Sequence, residues 1–85
     1  MEKFGLTSQI SRCSVSIPSN IAEGSSRTDK SFSHFIDIAL GSSFELETQL
    51  IIAKNQDYLT EEKFNSIIET INEFQRMTIG FKSKL

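Results

Sequence analysis

Glu47 and His34 are the residues of this chain best placed by type to do chemistry. Glu47 falls in the middle of a wide apolar stripe. A carboxylate buried there must be paired, hydrogen-bonded or protonated. It could serve a metal or a proton transfer, but the Glu-x-x-His pattern of di-metal helical bundles is absent. Glu47 is therefore expected to bridge to Asn20, Gln9 or Arg12 on a neighbouring helix and to fix register there. Asn20 and Glu23 share an edge of the first helix and suit an internal hydrogen-bond network with a terminal cap. Arg12, Asn20, Glu23 and Glu47 together make the expected structural polar network. One histidine supplies neither a triad nor a zinc site, so His34 is expected on an exposed helix face. Cys13 lies on an apolar stripe and reads as a small buried hydrophobe. The glycines lack phosphate-loop spacing. No catalytic, cofactor or metal site is expected, no small-molecule substrate is evident, and the chain reads as no enzyme.

These residues must be positioned by a small scaffold. The 85 residues make one domain, 1–85, with nine Lys and Arg against eleven Asp and Glu. A core of this size is marginal, and such domains often gain stability by associating. Charges of both signs are mixed along the chain, which argues against a general polyanion binder. Arg12, Arg27, Lys30, Lys54, Lys82 and Lys84 remain candidate nucleic-acid contacts if they gather at one end or rim. The phenylalanines all find places in the core or lead-in, leaving none evident for base stacking. A single cysteine excludes an internal disulfide. No secretory leader is apparent at the first residues, and no run reaches the roughly 20 apolar residues of a membrane span. The expected compartment is the cytoplasm.

Hydrophobic spacing predicts three antiparallel helices over about 7–24, 28–55 and 60–82, and no strand. Met1 to Leu6 form a lead-in whose Phe4 and Leu6 pack. Thr7 caps the first helix and Gly24 ends it in the left-handed conformation. Leu6, Ile10, Cys13, Ile17 and Ile21 make one apolar stripe of that helix. Val15, Pro18 and Ala22 fall on nearly the opposite side, so the helix is expected to be sandwiched. Pro18 kinks it. Thr28 caps the second helix, whose seam runs Phe32, Ile36, Ala39, Ser43, Leu46, Leu50 and Ala53, widened by Phe35, Leu40, Phe44 and Ile51. Thr60 caps the third, with Leu59 stapled on Phe64. Its inner face is Phe64, Ile67, Ile68, Ile71, Phe74, Thr78 and Phe81, with a Glu73–Arg76 pair outside. The first two helices carry more apolar surface than three rods cover, so a fourth helix is expected from another chain or segment.

The strings Phe4-Gly-Leu-Thr-Ser-Gln-Ile10, Val15-Ser-Ile-Pro-Ser-Asn-Ile-Ala-Glu-Gly24, Ile38-Ala-Leu-Gly-Ser-Ser43 and Glu45-Leu-Glu-Thr-Gln-Leu50 resemble the four-helix-bundle proteins named after 23S ribosomal RNA intervening sequences. The accessory variability protein of diversity-generating retroelements is similar. The resemblance spans nearly the whole chain. It implies an all-α, up-and-down four-helix-bundle architecture, often a homo-oligomeric ring of five, with no enzymatic activity. It also implies, through the retroelement relative, nucleic acid or a reverse transcriptase as partner. The similarity starts at the family's second helix, so the first family helix is expected to be absent here. This chain is acidic where that relative is basic. The expected function is a self-associating scaffold or adaptor, with an RNA- or DNA-binding accessory protein as the alternative.

Overall fold

The computed structural model describes residues 3–85, with side chains from residue 5 onward. Three helices follow one another: α1 (Lys3–Ser25), α2 (Asp29–Asn55) and α3 (Glu61–Lys82). The helices expected at about 28–55 and 60–82 differ from this by one residue or less at their starts and ends.

The first helix starts earlier than capping preference suggests. Thr7 lies inside α1 rather than at its N-cap, because Leu6 is already 1% exposed on the same stripe as Cys13. Burial of that leucine against Leu50 and Ala53 outweighs the roughly 1 kcal/mol that a cap contributes. The expected packing of Phe4 falls outside the described side chains. α1 runs unbroken through Pro18, as its apolar repeat requires.

Gly24 does not adopt the left-handed conformation; no described glycine has positive φ. It is buried inside α1 where the helix crosses Phe32 and Phe35. A Cβ placed on it would come within 2.7 Å of Phe35 Cβ and 2.9 Å of Phe32 Cδ1. The glycine is there because two helices meet too closely for a side chain, and the chain leaves α1 one residue later through a bond from Arg27 N–H to Gly24 O.

The left-handed residue is instead Asp57, with φ 61°, in the turn between α2 and α3. Tyr58 N–H donates to Ala53 O at 2.9 Å and Asp57 N–H to Lys54 O at 3.0 Å. That pair of bonds is a Schellman ending with aspartate where glycine is usual. Thr28 and Thr60 cap α2 and α3 as their positions predict, their hydroxyls accepting from Ser31 N–H at 3.3 Å and Lys63 N–H at 3.2 Å.

Register follows from cross-helix neighbours. Gly24 faces Phe35, Ser16 faces Ser42 and Leu6 faces Leu50, so α1 and α2 are antiparallel. Asp37 meets Lys82, Ser43 meets Gln75 and Lys54 meets Phe64, so α2 and α3 are antiparallel too. α2 is the central rod. Its buried residues Ile36, Ala39, Ser43, Leu46, Leu50 and Ala53 reproduce the seam, joined by Leu40 and Gln49. A core of Cys13, Leu46, Leu50 and Ile71 draws in Ile10, Ile17, Leu59, Phe64 and Ile68.

The widening residues divide: Leu40 is buried and Phe35 half-buried, whereas Phe44 is 49% and Ile51 43% exposed on the chain. On α3, Ile71 is buried as expected, but Ile67 and Phe81 are exposed and Gln75 is buried. Among the described residues, Glu73 and Arg76 form no ion pair; three residues of helix leave them on an exposed, solvated face.

Candidate functional site

Ser42 and Ser43, adjacent on α2, hold the two flanking helices. Consecutive helical residues point about 100° apart, so one reaches α1 and the other α3. Ser42 Oγ lies 2.9 Å from Ser16 Oγ. Asn20 Nδ2 completes that contact by donating to Ser16 O at 2.8 Å and Ser16 Oγ at 3.0 Å. Ser43 Oγ donates to Leu40 O at 2.7 Å and accepts from Gln75 Nε2 at 3.1 Å. Ser43 is fully buried and Gln75 7% exposed, so each satisfies a polar group that would otherwise be costly. The sequence placed Ser43 on the seam but gave no sign of Gln75, because a glutamine among Phe74 and Arg76 looks like a surface residue.

The structure does not bring the expected polar network together. Asn20 is the only one of the four that links toward a neighbouring helix, through Ser16. Glu23 pairs with Arg27 four residues on, at the exposed end of α1. Glu47 is half-buried and, among the described residues, makes no hydrogen bond or ion pair. It lies about 40° around α2 from Ser43, which bonds Gln75 of α3, and so sits on the flank nearer α3 than α1, with no bond to Asn20, Gln9 or Arg12. Glu45, two residues earlier and about 200° around the helix, is the carboxylate on the α1 side. There it lines a cleft of about 240 Å³ with Gln9, Arg12, Ser16 and Gln49. Within that cleft Gln49 Oε1 is buried with no partner among the described residues. His34 is exposed, its ring 6.0 Å from that of Phe35. Cys13 is buried. Among the described residues no three His, Cys, Asp or Glu side chains converge on one point.

The six candidate cations divide by helix direction. Arg27, Lys30, Lys82 and Lys84 share one end of the molecule, where α1 and α3 finish and α2 begins. Two of these are already engaged: Arg27 with Glu23, and Lys82 with Asp37 at 2.5 Å. Arg27 also lies 5.2 Å from the centre of the Phe35 ring. Lys54 stands apart, 4.6 Å over the Phe64 ring, and Arg12 is midway along α1.

The largest unsatisfied feature is apolar. Among the described residues, the backbones of α1 and α3 each approach α2 closely but not one another, so the two helices meet only through side chains of the shared core. The molecule measures 43 × 22 × 13 Å, so the rods form a shallow trough rather than a closed triangle. Ile21 of α1 and Met77 and Phe81 of α3 stand on opposite walls, with Phe32 and Ile36 of α2 as the floor. Met77 is 67%, Phe81 47% and Ile67 39% exposed. On the outer side of α1, Val15, Pro18 and Ala22 are also exposed. The chain by itself thus leaves uncovered the strip that was expected to be sandwiched. Among the described residues, no helix is long and apolar enough to cross a membrane.

Comparison with known proteins gives one result. The model of the family described as 23S rRNA-intervening sequence protein matches residues 1–80, and the chain belongs to that family. No curated protein and no solved structure matches it.

Proposed function

We propose, from membership of the 23S rRNA-intervening sequence protein family, that this chain is a non-enzymatic module that works by self-association as a scaffold or adaptor. The observation that carries this reading is the trough between α1 and α3. Its lining is apolar apart from Thr78, and Met77 and Phe81 of α3 stay exposed across from half-buried Ile21 of α1. Isolated exposed apolar residues are ordinary, but a contiguous apolar groove marks an interaction surface. Covering Met77 and Phe81 alone would contribute about 1.5–3 kcal/mol each for full burial, and proportionally less from their present exposure.

Charge lends less to a nucleic-acid role. Of the four cations at one end, two face carboxylates, and Asp29 stands beside Lys30. Counterion release scales with the number of unpaired cations that meet phosphates, and at this end the pairing of Arg27 and Lys82 leaves Lys30 and Lys84.

Size-exclusion chromatography with light scattering tests the proposal. The expected mass at micromolar concentration is a multiple of the 9.6 kDa chain. A monomer across that range overturns it.

A further inference from the structure

We propose that the polar cleft between α1 and α2 binds a small zwitterion carrying an ammonium and a carboxylate, of the size of an α-amino acid. This goes beyond the self-association reading and is tested separately from it, since the cleft shares no lining residue with the trough.

Opposite charges stand on the two sides of this cleft without meeting. Arg12 of α1 and Glu45 of α2 both line it. Both are exposed, and among the described residues neither makes a hydrogen bond or an ion pair. Gln49 also lines the cleft, but it is only 6% exposed, and its Oε1 is buried with no partner among the described residues. A carbonyl in that state lacks the donor that burial calls for. Part of the lining is already fixed. Ser16 Oγ and Ser42 Oγ lie 2.9 Å apart, and Asn20 Nδ2 donates to Ser16 Oγ at 3.0 Å.

These groups discriminate by charge. A lone cation is attracted by Glu45 and repelled by Arg12, and a lone anion meets the reverse. An apolar molecule would desolvate both charges and leave Gln49 Oε1 unpaired. A molecule with both groups answers each. Its carboxylate accepts from the Arg12 guanidinium, whose planar fork suits two parallel bonds. Its ammonium has three donors, one for Glu45 and one for Gln49 Oε1. That carbonyl lies beneath the surface, so the Gln49 side chain yields toward the cleft as the ligand seats, which relieves the unpaired acceptor. The volume limits the size. At about 240 Å³ the cleft is smaller than the roughly 300–1,000 Å³ of drug-sized sites, and Cys13 offers an apolar neighbour for a short side chain.

Titration followed by nuclear magnetic resonance tests the site. L-Alanine is the probe, and propionate and ethylamine are controls that each keep one of its charges. Saturable shifts of the Gln49 side-chain amide and of the Arg12, Ser42 and Glu45 backbone amides are expected with L-alanine, at an affinity at least about tenfold above either control. Arg12→Gln and Glu45→Gln should each weaken binding by about tenfold or more. Both residues are exposed, so amide shifts elsewhere should stay unchanged and report an intact fold. No saturation by about 10 mM L-alanine, or equal affinity for all three compounds, overturns the proposal. Undiminished binding by both variants overturns it too. Light scattering reads self-association independently, so a monomer that binds L-alanine supports this site while overturning the scaffold reading.

Discussion

Gly24 and Phe35 approach so closely that a methyl group on the glycine would sit 2.7 Å from the phenylalanine Cβ. Two effects oppose one another if Gly24 becomes alanine. Alanine gains up to about 1 kcal/mol of helix propensity at a helical site. Overpacking costs about 1–3 kcal/mol, and here the obstructing atom is a Cβ fixed to the backbone of α2, which no rotamer change can move. Gly24→Ala is therefore expected to be destabilising by about 1–2 kcal/mol in urea unfolding. A stabilised protein would mean that the α1–α2 crossing relaxes freely.

The bond from Gln75 Nε2 to Ser43 Oγ ties α3 to α2 through two buried side chains. Ser43→Ala strands a buried amide donor and should cost about 1–3 kcal/mol. Gln75→Met should cost less, since Ser43 Oγ keeps its bond to Leu40 O. The double variant should be more stable than the sum of the two losses predicts, giving a coupling of about 1 kcal/mol in a double-mutant cycle. Strict additivity would show that the two side chains do not meet in solution.

Asp57 occupies a left-handed position at φ 61°. A non-glycine residue there costs about 1–2 kcal/mol, partly relieved for aspartate. Asp57→Gly should raise stability by roughly 0.5–1 kcal/mol, because the gain in the folded turn exceeds the entropy added to the unfolded chain. Thermal unfolding followed by circular dichroism reads the sign.

Pro18 lies inside α1, is exposed, and denies the helix one backbone donor. An interior proline costs roughly 3 kcal/mol. Pro18→Ala should therefore stabilise the chain by about 1–3 kcal/mol in denaturant. If the substitution is neutral or harmful, the proline makes compensating contacts in the assembled protein, which a concentration series would reveal.

Met77 is 67% exposed on the trough wall. Met77→Glu should leave helicity unchanged but weaken assembly by about tenfold or more, since the carboxylate would be desolvated on association. An unchanged mass by light scattering would move the interface elsewhere.

The sequence by itself determined what depends on one residue's neighbours along a single helix. Periodicity put Ile36, Ala39, Leu46, Leu50 and Ile71 in the core, and the hydroxyls of Thr28 and Thr60 marked two helix starts. Those features need only 3.6 residues per turn and a free backbone donor. It also placed an unusual apolar strip at Val15, Pro18 and Ala22.

Tertiary structure decided whatever depends on a second helix. A glycine near a helix end reads as a left-handed cap, yet Gly24 is helical because Phe35 crosses it, and the left-handed turn fell to Asp57. Glu47 and Glu45 are two residues apart, and only the position of α1 says which one faces it. Gln75 looks like surface until Ser43 arrives from α2. Local chemistry specifies a helix and its faces; which face meets which partner is fixed by packing between helices, where no local pattern reaches.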